Sequence, residues 1–149
     1  MGNVANIFNP NPIAADLFAM MAETSLGRGM SRHVYKYAMM KNAVIKFEEL
    51  GYYQNVMEYE TWYRVRHTDV AKWFAPCHYI SPCGRILIQG YATDLVWEKR
   101  PEKIPSFFTD LKIENWGKYK GRPVCRDYGT HLMFEKGMSS RLKKAEWLC

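Results

Sequence analysis

The chain has 149 residues, 48% hydrophobic and 24% charged, with a formal charge of +6. That length and balance suit one folded domain with a single buried core. No window is apolar enough, for long enough, to span a membrane, and Met1 to Pro12 lacks the basic and apolar regions of a signal peptide. A soluble, cytoplasmic protein is therefore expected. The excess of positive charge favours anionic partners such as nucleotide, nucleic acid or an acidic protein. Aromatic residues, at 15%, suit filled cores or a stacking surface. Cys77, Cys83, Cys125 and Cys149 form no C-x-x-C pair and read as structural thiols of a reducing compartment.

Residues 1–12 are rich in Asn and Pro and read as a loop or tethered arm. Pro12 suits the first turn of a helix over Ile13 to Met21, with Ile13, Leu17 and Met20-Met21 as its apolar stripe. The stretch from Leu26 to Lys36 carries Gly27 and Gly29 and then the apolar Val34. Glycines there let backbone N–H groups approach phosphate oxygens closely. Arg32, a few residues on, offers a charge for phosphate.

Tyr35 to Phe47 reads as a hairpin turning at Met40-Lys41-Asn42-Ala43, with Lys46 in its second strand. Gln54 to Val65 is the clearest helix, with Val56, Met57, Tyr59 and Tyr63 as its covered side and Trp62 nearby. Glu58 and Glu60 lie about 200° apart around that helix, so only one can point inward. Glu58 is favoured, because its i+4 neighbour Trp62 would pack on the same face. A further antiparallel hairpin runs from Cys77 through a turn at Pro82-Cys83-Gly84 to Ala92. Thr93 to Pro105 is a charged connector.

Thr109 to Gly117 then has the form D-x-x-x-x-N, with Asp110 and Asn115, and Asp127-Tyr128-Gly129 follows. Lys118 to Cys125 between them reads as a hairpin turning at Lys120-Gly121-Arg122-Pro123. It would bring Asp110, Asn115 and Asp127 to one rim, where oxygen-bearing side chains can hold hard cations and a phosphate chain. Ser139 or Ser140 would cap a last helix through Leu148, with a basic polar side.

Taken in order, these stretches resemble the protein-kinase-like family, in the compact form of small, truncated kinase-like proteins of bacteria and their phages. The resemblance covers about residues 26–130. It implies an α+β fold: a kinase-like N-lobe antiparallel sheet with one packed helix, a minimal remnant of the C-lobe catalytic-loop hairpin, and short terminal helices. The single domain would divide into residues 1–24 (arm and helix), 25–92 (sheet and helix) and 93–149 (catalytic-loop hairpin and terminal helix).

The resemblance also implies roles. Gly27, Gly29 and Val34 would form the glycine-rich loop over ATP. Lys46, held by Glu58, would grip the α and β phosphates. Gln89 and Tyr91, with Gly90, would present main chain to adenine. Asn115 and Asp127 would hold Mg²⁺, and Asp110 would accept the proton of an acceptor hydroxyl.

The chain departs from the family in four places. The third glycine is Arg32, and Phe108-Thr109 replaces the His-Arg before the catalytic Asp. Only 19 positions separate Tyr91 from Asp110, and 20 residues follow Gly129, too few for a full helical lobe. The expectations are therefore two: a minimal Mg-ATP phosphotransferase, or a pseudokinase-like module that docks on a host protein or nucleic acid. A protein partner is expected and a homodimer is allowed. The charge permits nucleic acid, but no recognised motif supports it. If phage-encoded, the protein would work in the host cytoplasm.

Overall fold

A computed structural model describes residues 11–29, 31–49, 51–129 and 137–149. The arm expected over the first residues lies, for residues 1–10, outside the described ones. The fold is α+β with antiparallel sheets, as expected. None of the described helices is long and apolar enough to cross a membrane.

Helix α1 spans Pro12–Met21. Proline suits its first turn because that N–H has no helical partner, and the Asn11 side chain caps the helix by accepting from the Ile13 N–H at 3.0 Å. Most of the expected stripe is turned outward: Ile13, Leu17 and Met20 are exposed, Met21 packs partly buried against the core, and Phe18 is the buried residue. Phe18 packs on Tyr35 and Phe47, with ring centroids 5.2 and 4.8 Å away. Two rings on the sheet offer a larger apolar contact than the aliphatic stripe could find, so they set the rotation of the helix.

Strands β1 (Ala22–Arg28), β2 (Arg32–Tyr37), β3 (Ala43–Glu48), β4 (Cys77–Ile80) and β5 (Ile86–Gly90) form one antiparallel sheet in the order β1-β2-β3-β5-β4. β3 is central and buried along its whole length. Its Ala43, Ile45 and Phe47 join Phe18 and Ile88 on the α1 side. By the two-residue alternation of a strand, Val44, Lys46 and Glu48 face the other way.

Helix α2, Gln54–Val65, covers that second face and has the limits expected from the sequence. Its rotation differs from the expected one. Asn55, Glu58, Thr61 and Val65 are buried, while Tyr63 is exposed. The sheet beneath presents Lys46, Glu48 and Gln89, so the helix meets it with polar groups that satisfy them. Glu48 accepts the N–H groups of Gln54 at 3.0 Å and Asn55 at 2.6 Å, a carboxylate cap at the positive end of the helix.

The rest of the chain builds a second layer below the sheet. The connector after β5 contains strand β6 (Thr93–Asp94), a 3-10 turn at Trp97–Lys99 and strand β7 (Lys103–Pro105). β8 (Trp116–Tyr119) and β9 (Arg122–Cys125) form the expected hairpin, and β8 pairs on its other edge with β6. Its turn is the two-residue Lys120-Gly121, both with positive φ. An aromatic core of Phe74, Phe107, Phe108, Trp116 and Tyr128 ties this layer to α2 and β4. The expected C-terminal helix is absent. Leu142–Lys144 form strand β10, antiparallel to β7, and the Ser139 hydroxyl accepts from the Arg141 N–H rather than capping a helix. Tertiary partners override the local propensity here: Lys143 Nζ donates to the Phe108 carbonyl at 2.8 Å, and the Ala145 N–H to Glu102 at 2.8 Å.

Candidate functional site

A cleft of about 560 Å³ lies between the five-stranded sheet and the β8–β9 layer. This is the size of a small-molecule site. Its roof is the β1–β2 hairpin, with Gly27, Gly29 and Val34. Val44, Lys46, Gln89 and Tyr91 form its back, and Asp110, Asn115 and Asp127 its floor. These are all of the predicted site residues except Glu58, which lies behind Lys46, fully buried.

The floor is gathered by one carbonyl. The Asn115 carbonyl accepts the N–H groups of Arg126 at 2.8 Å and Asp127 at 3.2 Å, closing the base of the hairpin so that its two ends share a rim. Asp110 has φ 52°, a left-handed conformation that few non-glycine residues adopt. Its carboxylate is half-exposed, 3.6 Å from Lys112 Nζ.

Behind the floor lies a buried ion cluster centred on Glu58. Its carboxylate receives Arg32 through both ends, each at 2.8 Å, and Lys46 Nζ at 3.1 Å. The Tyr128 N–H adds a contact at 3.0 Å, and the Gln89 side chain another at 3.5 Å. Glu60 is exposed, so Glu58 is the inward glutamate. Burial pushes its carboxyl up. The charges of Arg32 and then Lys46, with their hydrogen bonds, outweigh that and hold it at about 2. Burial also lowers the Lys46 ammonium, and the neighbouring guanidinium lowers it further, with only partial relief from Glu58. Arg32, although desolvated, is held more firmly charged than usual by its two-pronged contact with Glu58. Lys46 also donates to the Arg126 carbonyl at 2.6 Å.

Arg32 departs most from expectation. It lines the cleft, but not as a free charge: it is 4% exposed and held against α2. Besides Glu58 it reaches Asn55 Oδ1 at 3.2 Å and Asp127 Oδ1 at 2.7 Å. Only the three-residue rise from Asn55 to Glu58, which sets both on one helix face, could have signalled this partner set. Arg126 was also missed. It braces the cleft wall by donating to the Ala92 carbonyl and to Asp94, both at 2.8 Å.

The main chain expected to meet a base is already engaged. The Gly90 N–H donates to the Pro76 carbonyl and the Tyr91 N–H to that of Asn42, both at 2.8 Å. The end of β5 is tied to its neighbours on both sides, which consumes those donors. The buried thiols are held protonated: burial pushes Cys77 up to about 12 and raises Cys125 well above its ordinary value.

Comparison with protein-family models, curated proteins and solved structures finds no match to this chain.

Proposed function

We propose that this protein is a kinase-like nucleotide-binding module that takes ATP in the cleft and acts chiefly through binding. The observation that carries this reading is the buried Lys46–Glu58 pair at 3.1 Å, opening onto the same cleft as Gly27, Gly29, Asp110, Asn115 and Asp127. A lysine held by a helix glutamate beside a glycine-bearing turn is an arrangement suited to a phosphate chain. Arg28, Lys112 and Arg126 add positive charge at the cleft wall.

Asn115 and Asp127 are the residues that would hold Mg²⁺ under the resemblance. The donor set does not fit that ion well, because the Asp127 carboxylate is engaged by Arg32 at 2.7 Å. This favours binding over transfer. Phosphoryl transfer is the second reading. It is favoured by Asp110, whose left-handed φ of 52° keeps a half-exposed carboxylate at the cleft floor, since strained residues cluster at functional sites.

The test is a calorimetric titration of ATP into wild type and Lys46→Met. The methionine removes the cation and leaves Glu58 paired with Arg32, so the fold should persist. We expect wild type to bind and the variant to bind at least about tenfold more weakly, a loss of about 1.4 kcal/mol. Equal binding by both would overturn the assignment of the cleft. Phosphate transfer that vanishes in Asp110→Asn would move the balance to the second reading.

A further inference from the structure

We infer that the cleft binds its nucleotide as the metal-free anion, with the guanidinium of Arg32 standing where a divalent cation would otherwise neutralise Asp127. This rests on the reading of the cleft as a nucleotide site and adds to it the ionic form of the ligand.

The argument begins with the position of Arg32. It opens β2, directly after the glycine-bearing turn, where a side chain can enter the space between turn and floor. Its guanidinium is fixed at both ends. One nitrogen touches Glu58 at 2.8 Å and Asn55 at 3.2 Å, and the other touches Glu58 at 2.8 Å and Asp127 at 2.7 Å. A planar fork held on three side chains cannot swing aside without leaving Glu58 with Lys46 as its one cationic partner in a buried site. Arginine does not lose its proton at any working pH. The positive charge beside Asp127 is therefore permanent.

That charge changes what the floor can recruit. A divalent ion on the half-exposed Asp127 carboxylate would sit within a few ångströms of the guanidinium, about 3–5 Å by the reach of one carboxylate, where like charges repel. The ion's usual task is to cancel the carboxylates and draw in the phosphates. Here Arg32 and Lys46 together balance Glu58 and Asp127, so the wall is neutral without a metal. No ion is needed to cancel the floor carboxylate before a phosphate chain approaches. A phosphate chain that arrives with Mg²⁺ has lost much of the charge that the cleft cations Arg28 and Lys112 would attract.

The test is a fluorescence or calorimetric titration of ATP into the full chain, once in EDTA and once in excess Mg²⁺, with wild type and Asp127→Asn. The asparagine leaves the Arg32–Glu58 contact in place, and a thermal melt of the free protein checks its fold. Wild type should bind in EDTA, with affinity unchanged or weakened by Mg²⁺. Asp127→Asn should bind metal-free ATP about threefold or more tightly than wild type, because a like charge facing the phosphates is gone while Arg32 stays held by Glu58 and Asn55 at the cleft wall. A role for Asp127 as metal ligand predicts the opposite sign. Wild-type binding seen only with Mg²⁺ and lost in Asp127→Asn would overturn the inference and leave the cleft a nucleotide site. Absence of ATP binding under both conditions would overturn the inference together with the reading it rests on.

Discussion

Glu58 is the residue on which the interior of this protein turns. Two buried cations and one backbone N–H converge on it, so removing its charge leaves Arg32 and Lys46 facing each other in a dry site. Breaking such a pair costs about 3–5 kcal/mol, since the uncompensated charge stays buried. Its carboxyl is held at about 2 against an ordinary 4.5. A depressed folded-state pKa gives stability that is complete above the ordinary value and lost as pH falls through the folded one. We expect the urea midpoint of wild type to fall between pH 4.5 and about 2, and its lead over Glu58→Gln to shrink across that window. A lead that stays constant with pH would show that Glu58 is not the charged centre of the cluster. That only one of Glu58 and Glu60 points inward was legible from helical geometry, and Trp62 favoured Glu58, but the pairing with Lys46 was decided by the packing. The Arg32 partnership was not, since it joins residues 23, 26 and 95 positions away.

Among the elements, α2 and the segment Asp127–Gly129 behave as one unit. Tyr128 donates its N–H to Glu58 and its hydroxyl to the Ala75 carbonyl at 2.8 Å. Gly129 lies so near the start of the helix that an added Cβ would meet the Gln54 carbonyl oxygen at 2.9 Å and its Cα at 3.2 Å. Backbone cannot yield as a side chain tip can. Gly129→Ala should therefore destabilise by about 1–3 kcal/mol, read as a lowered thermal midpoint. An unchanged midpoint would mean that the segment is not pinned against the helix. The glycine was visible in the sequence as part of a D-Y-G stretch, but its physical reason, contact with a helix 75 positions earlier, is a fact of packing.

At the scale of the whole molecule, the C-terminal strand closes the lower layer. Trp147 Nε1 donates to the Pro101 carbonyl at 2.9 Å, and its ring meets Trp116 edge-on at 5.3 Å. β10 pairs with β7, and the Leu148 N–H reaches the Leu111 carbonyl at 2.8 Å, directly beside Asp110. The last residues therefore brace the cleft floor from below. Trp147→Ala should cost about 2 kcal/mol, less than a fully buried ring because this one is partly exposed. Chemical denaturation should still show a single transition, since the aromatic core joins both layers. A separate early transition would show that the lower layer unfolds alone.

The amino-acid sequence by itself determined the alternation of hairpins and helices. The limits of α2, the turn before Ala43 and the hairpin after Trp116 all follow from periodicity and turn chemistry, which act between neighbours in the chain. It also brought Asp110, Asn115 and Asp127 to one rim, because they flank a hairpin whose two ends return to one side, while the gathering of Gly27, Gly29, Lys46 and Gln89 with them was implied by the resemblance. The tertiary structure decided what local pattern cannot encode. It turned Phe18 rather than Ile13 and Leu17 to the core, because two rings on the sheet lay beneath α1. It drew Leu142–Lys144 into a strand, because β7 offered an unpaired edge and Phe108 a carbonyl. It committed the N–H groups of Gly90 and Tyr91 to neighbouring carbonyls, and it placed Arg32 between Glu58 and Asp127. In each case the deciding partner is distant in sequence, and burial makes satisfying it worth more than any local preference.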